Sequence, residues 1–379
     1  MKFKVGDFIR AFYARTFDQE KTPENHVIGP ISIYTGMLVV ALGAKNVTLQ
    51  EILHSLKLKD LKEIENGVSK YVRQLPETSG EAELVSLTRL YSKVDIKADF
   101  EKTLKKHFDS ELIFARDLSE NATLWAERMN KFISETTRGK IENMVSASML
   151  EDSCSIIINA MYFKASWYER FSPNKYPMEF TYLDGSKKVI NFMSERDMEV
   201  LYHEFPELHL RAVKMILLNS DFNVMIILPD RFDGLKKAIA DLFSDNQKSK
   251  ENFEKVFYSH YRKTEVDLSV PKFKLEKQTS MVEVFQNMGM KQVFTDASDL
   301  TNMFAETQKI TSIIHQATFE INENGVEASA VTMIKSYYCS AMFGPDKKII
   351  FEAKHPFIAA ITSEEGLPLF IGHITQPLD

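Results

Sequence analysis

The chain has 379 residues, 44% of them hydrophobic and 26% charged, with a formal net charge of −6. That is globular composition, and the negative balance argues against a nucleic-acid partner. No run of about eighteen apolar residues exists, so no membrane span is expected. The two cysteines, Cys154 and Cys339, are too few for a disulfide framework. Length alone suggests two or three domains, but no linker, repeat or low-complexity tract marks a cut. One domain over 1–379 is the expectation.

In chain order, the first 150 residues read mainly as helix. Residues 1–7 carry no secretory apolar core. Phe8, Ile9, Phe12, Tyr13 and Phe17 then form one apolar helical face. Leu49, Ile52, Leu53 and Leu56 form another; so do Phe100, Leu104, Phe108 and Leu112, and Trp125, Met129, Phe132 and Ile133. Strand signals follow. Ile156-Ile157-Ile158 suits a strand buried on both faces. The runs at 213–216 and 222–228, separated by a turn with Asn219, Ser220 and Asp221, read as a hairpin. A helix is expected near 235–243 and a strand at 266–271. Without a regular βαβ rhythm, the class is α+β.

The segment from Phe319 to Thr332 starts as an alternating strand and then passes through Gly325 into small residues. Val326, Ala328, Ala330, Thr332, Ile334 and Ser336 form one uncharged set. Glu327, Ser329, Val331, Met333, Lys335 and Tyr337 form the other and hold all the charge. A one-residue slip would bury Glu327 and Lys335. A segment composed like a strand stands where a loop is expected. It reads as a loop able to become a strand, against the plainer reading of an edge strand or a helix start.

Catalytic signatures are missing: no Gly-x-Ser-x-Gly, no phosphate loop, no His-Glu-x-x-His and no Cys-x-x-Cys. No enzyme activity, cofactor or metal site is expected. His203, Glu204, Glu207 and His209 look metal-like, but Pro206 breaks any common helix, and a solvated turn is the better reading. Nothing beside Cys339 lowers its thiol pKa. The basic cluster Lys102, Lys105, Lys106 and His107 reads as a solvated helix face, and Lys57, Lys59 and Lys62 are too interrupted by acids for a polyanion site.

Asn322-Glu323-Asn324-Gly325-Val326-Glu327-Ala328-Ser329-Ala330 resembles the reactive-loop hinge of the serpin family. The runs His355-Pro356-Phe357-Ile358-Ala359-Ala360-Ile361 and 367–374 resemble its C-terminal strands, and Asn159-Ala160-Met161-Tyr162-Phe163-Lys164-Ala165-Ser166-Trp167 its central strand. The stretches 130–133, 137–141, 27–33, 42–45, 288–290 and 299–301 add matches in the family's order. Departures exist: Gly29 stands where a serine is usual, Val326 where a threonine is, Val331 where alanine is commoner, and the loop before His355 is longer.

The resemblance implies helices packed around three β-sheets, with a large central sheet and an exposed reactive loop at about 323–350. It implies a hinge at Glu323, Gly325, Val326, Glu327, Ala328, Ser329 and Ala330. It assigns control of sheet opening to Ser32, Asn159 and His315 beneath the sheet, and to Lys272 with Glu323 near Trp167 at its top. The implied function is suicide inhibition of a serine protease: loop cleavage, a covalent acyl-enzyme and loop insertion. In the family the cleaved bond follows about the fourteenth residue after the hinge glycine. That gives Cys339–Ser340, with Tyr338, Met342 and Phe343 as alternatives. No basic residue stands there, so chymotrypsin-like or elastase-like targets are expected over trypsin-like ones. A cysteine protease target and a non-inhibitory carrier, chaperone or partner-binding role are the alternatives. A monomer is expected. The sequons at Asn46 and Asn121 make a secreted glycoprotein the expectation and a cytoplasmic protein its alternative.

Overall fold

The computed structural model describes residues 2–17, 24–65, 78–79, 82–108, 111–172, 176–326 and 348–378. Its main helices are Lys2–Tyr13, Pro30–Gly43, Asn46–Ser55, Ala98–His107, Ala122–Thr136, Leu235–Phe243, Gln247–Tyr258 and Val282–Asn287. The strands are β1 (His26–Ile28), β2 (Thr78–Ser79), β3 (Ala82–Ser92), β4 (Glu111–Phe114), β5 (Ser155–Ser166), β6 (Tyr176–Thr181), β7 (Lys187–Phe205), β8 (Leu210–Ile216), β9 (Phe222–Pro229), β10 (Arg262–Pro271), β11 (Phe273–Ser280), β12 (Ser312–Asn322), β13 (Gly325–Val326), β14 (Ile349–Glu352), β15 (Phe357–Ser363) and β16 (Pro368–Ile374).

The helix Pro30–Gly43 shows how sequence selects position. Pro30 presets φ at the first turn, where its missing N–H costs nothing. Every residue after it except Thr35 is buried, because the helix is apolar on all sides and solvent has no face to wet. It lies against β3, β5 and β16. The helix Leu235–Phe243, by contrast, buries only Leu235, Ala238, Ile239, Leu242 and Phe243, one face at helical spacing. Asn246 starts the next helix, its side chain accepting from the Ser249 N–H at 2.8 Å.

The strands form three sheets. The central sheet runs β11-β12-β13-β5-β3-β2, with β4 beside β3. The other two share β7, 19 residues long, and so make one continuous hydrogen-bonded network of nine strands. The early part of β7 pairs with β6, its middle with β10, and its end with β8. A bulge near Val266 and Leu268, with Asp197 at φ 51°, bends the ladder between them. The hairpin expected at 213–216 and 222–228 is β8–β9.

The helical reading of the first 150 residues needs correction. β3 lies there, and its Leu84, Leu87 and Leu90 recur every third residue, a spacing that imitates a helix. Leu112 leaves the stripe begun by Phe100 and Leu104. The helix caps at Phe108 in extended conformation, and Leu112 belongs to β4. Among the described residues no helix is long and apolar enough to cross a membrane.

Candidate functional site

The central sheet carries a gap between β12 and β5. Over its lower part the two pair directly and in parallel, Ser312–Thr318 against Ile156–Tyr162. Above that they diverge, and β13 lies between them. Val326 pairs with Ile321 on one side and Ala165 on the other; Gly325 pairs with Asn322 and Ser166. Both pairings are antiparallel. The chain reverses through Glu323 and Asn324, where the Asn324 N–H donates to Asn322 Oδ1 at 2.9 Å. Gly325 has φ +147°, a conformation that favours glycine. Val326 is fully buried in the main core.

Three groups hold this reversal. The buried Trp167 donates Nε1–H to the Asn322 carbonyl at 2.7 Å, and its backbone N–H donates to the Asn324 carbonyl at 3.2 Å. Its ring meets Phe171 edge-on at 5.9 Å. Lys272 ion-pairs with Glu323, both partly exposed.

A second cluster lies beneath the lower pairing. His315 and Asn159 are register partners on adjacent strands and are both buried. Their side chains take separate partners. His315 Nε2 accepts from the Gly29 N–H at 2.9 Å, which places the ring proton on Nδ1. Nδ1 has no hydrogen-bond partner among the described residues. Burial lowers the His315 pKa to about 3, so the ring stays neutral. Asn159 donates to Thr88 Oγ1 at 2.7 Å and to the Ser32 carbonyl at 3.4 Å. Ser32 Oγ donates to the Gly29 carbonyl at 3.1 Å.

At the far end of the loop, Lys348 Nζ bridges Asp197 at 3.0 Å and Asp267 at 3.1 Å. These carboxylates raise its pKa. β14 then joins the edge of β10 in parallel.

The structure thus brings Glu323, Gly325, Val326, Trp167 and Lys272 together at the gap, and Ser32, Asn159 and His315 below it. Glu327, Ala328, Ser329, Ala330, Tyr338, Cys339, Ser340, Met342 and Phe343 lie outside the described residues. Asn46 and Asn121 are exposed at helix starts, their amides donating to Asp299 at 2.7 Å and Asp117 at 2.6 Å. The metal-like quartet is dispersed: Glu204 accepts from Tyr202, Glu207 pairs with Lys255, and His209 faces Asp230 at 3.8 Å. Among the described residues no group of His, Cys, Asp and Glu could hold a metal ion. Lys102 pairs with Asp99 at 3.0 Å; the side chains of Lys106 and His107 lie outside the described residues.

Sequence reasoning missed Thr88, the Lys348 bridge and the role of Met161. A Cβ on Gly29 would stand 2.2 Å from Met161 Sδ. The methionine therefore fills the space a serine side chain would need. The signal was present in two places at once: a glycine where serine is usual, and a bulky residue in the strand opposite.

The sequence profile described as "Serpin (serine protease inhibitor)" matches residues 6–377. Serine protease inhibitor 42Dd of Drosophila melanogaster is 27% identical over 365 residues, 94% of this chain and 92% of that protein. The structure of Serpin48 from Tenebrio molitor superposes with a TM-score of 0.85 at 23% identity, covering 100% and 98% of the two chains. Human thyroxine-binding globulin superposes with a TM-score of 0.86 at 20% identity, covering 100% and 98%. With the gap, the hinge glycine and this match over nearly its full length, the chain belongs to the serpin family.

Proposed function

We propose that the protein is a suicide-substrate inhibitor of a serine protease, acting as one domain and as a monomer. The observation that carries this reading is the seat of Gly325–Val326, paired antiparallel to both β12 and β5 at the mouth of the gap. Strand alternation then directs Ala328, Ala330, Thr332 and Ile334 to the same side as the buried Val326. That set carries no charge and no proline, so nothing in it opposes burial.

The protease serine oxygen attacks the carbonyl carbon after the loop's reactive residue. The peptide bond breaks, the new amine leaves with the C-terminal piece, and an ester joins protease to loop. The freed segment then extends β13 downward. The single parallel ladder between β12 and β5 is replaced by two antiparallel ones, the slightly more stable kind. Roughly ten added hydrogen bonds at about 0.5–1.5 kcal/mol each give a driving force on the order of 10 kcal/mol before entropy. That is comparable with a typical domain's whole stability, about 5–15 kcal/mol. The starting state is then kinetically trapped, and the tethered protease is carried off before water cleaves the ester.

The reactive bond is assigned to Cys339–Ser340, with Tyr338, Met342 and Phe343 as neighbours to be tested. A chymotrypsin-like or elastase-like target fits them; a cysteine protease is the cross-class alternative. Secretion with glycans at the exposed Asn46 and Asn121 completes the reading. A carrier or partner-binding role on the same fold would leave the uncharged set without a purpose.

The test is incubation with chymotrypsin, elastase and trypsin, read by denaturing gel and mass spectrometry. The expected result is a complex that survives denaturation, with a released peptide beginning at Ser340 or a near neighbour. Loop cleavage with neither a complex nor a gain in thermal stability would overturn the proposal.

A further inference from the structure

Behind the central sheet lies a second polar cluster that the loop mechanism does not use. His26 on β1 and His373 on β16 are cross-strand partners with ring centroids 5.6 Å apart. Both are buried, and Phe17 lies against them at 5.3 and 5.0 Å. The hydrogen bonds around them suit neutral rings only. Thr16 Oγ1 donates to the Tyr13 carbonyl at 2.8 Å and so accepts from His26 Nε2–H at 2.7 Å. Tyr13 donates its hydroxyl proton to His373 Nδ1 at 2.7 Å.

The same short segment is gripped again three residues on. The Gly29 N–H donates to His315 on β12, the strand that borders the gap. A protonated His315 offers Gly29 a donor where it needs an acceptor. A protonated His373 does the same to Tyr13. Residues 26–29 are therefore tied to β16 at one end and to β12 at the other, each tie through an imidazole nitrogen.

We propose that His26, His373 and His315 form an acid-labile joint that fastens β1 to the central sheet only while all three rings are neutral. The groups facing the pair are Tyr13 and Thr16, Lys277 from β11, His315 from β12 and the backbone of Glu24. Lys277 repels an imidazolium, and no acid side chain stands among these groups to stabilise one. Burial lowers all three rings: His26 well below the usual range, His373 to about 4 and His315 to about 3. Each ring's contribution is present above the free imidazole pKa of about 6.5. It is lost as pH falls, because the unfolded chain binds protons that the folded chain refuses. Each ring lowers the folded-to-unfolded ratio by up to about tenfold per pH unit below 6.5.

The test compares thermal unfolding from pH 8 to 4 for the wild type, a His26→Gln/His373→Asn double variant and a His315→Gln variant. The replacements keep the needed donor or acceptor without titrating. The expected result is a steep fall in wild-type Tm below pH 6.5 and a shallower fall in both variants. Equal slopes in all three overturn the joint. Should a variant not fold, imidazole NMR of the wild type decides. Rings of His26, His373 and His315 that keep neutral shifts down to about pH 5 support the proposal, and titration near 6.5 in the folded protein overturns it. Neither readout involves a protease, so the outcome is independent of the inhibitory reading.

Discussion

Gly325 and Ala165 approach too closely for any side chain to fit between them: a Cβ on Gly325 would stand 2.2 Å from the Ala165 carbonyl oxygen and 2.7 Å from Ser166 Cα. Both obstacles are backbone, so neither moves without disturbing β5. The φ of +147° adds strain for any L side chain, roughly 1–3 kcal/mol. Gly325→Ala is expected to expel β13 from the gap. Amide exchange at Val326 should rise, and titration against the target protease should show more loop cleaved per complex formed. Unchanged exchange and unchanged stoichiometry would show that the close approach is dispensable.

The buried hydrogen bond at the turn should matter more than the ion pair beside it. Trp167→Phe keeps most of the ring but leaves the Asn322 carbonyl without its donor, a loss of about 1–3 kcal/mol. Lys272→Ala breaks a pair whose side chains are 33% and 23% exposed, and solvent screening limits that loss to about 0–1 kcal/mol. Urea unfolding of the two variants ranks them. A larger loss in Lys272→Ala would reverse the assignment of what holds the reversal.

How much of this was legible depended on where the partners lay. The β5 run was readable because nine consecutive residues are buried, which leaves an unbroken apolar stretch. The hinge was readable because its alternation is local. β3 was not, since its leucines fall at a helix-like spacing and its strand character comes from pairing with β5. The lower cluster was named through family resemblance, yet its bonding was not foreseen. Asn159 and His315 are register partners that bond to Thr88 and Gly29 instead of each other, and such choices depend on contacts between distant parts of the chain.

Gly29 and Met161 form a compensating pair. Gly29→Ser places its Cβ against the Met161 side chain, 3.1 Å from Met161 Cβ, and overpacking costs about 1–3 kcal/mol. Met161→Ala alone opens a cavity beneath β5, about 2–5 kcal/mol. Together the serine should partly fill what the methionine vacates. The double variant is expected to be more stable than the sum of the singles by about 0.5–3 kcal/mol, measured by urea unfolding as a double-mutant cycle. Additivity would show that the two residues do not share the space.

Val326 separates cleavage from insertion. Its side chain is fully buried at the mouth of the gap, and burying a valine contributes about 1.5–3 kcal/mol. Val326→Thr keeps the shape and adds a hydroxyl, which costs about 1–3 kcal/mol where it finds no partner; inhibition should persist. Val326→Arg cannot seat between Ile321 and Ala165, because the charge would enter the main core. The exposed reactive bond needs no insertion to be cut, so this variant should still be cleaved at the same residue. Deacylation should then outrun insertion, turning an inhibitor into a substrate: cleaved chain accumulates, protease activity survives, and cleavage brings no rise in Tm. If Val326→Arg formed stable complexes at wild-type stoichiometry, insertion would not begin at Val326, and the strand seated there would be incidental to trapping.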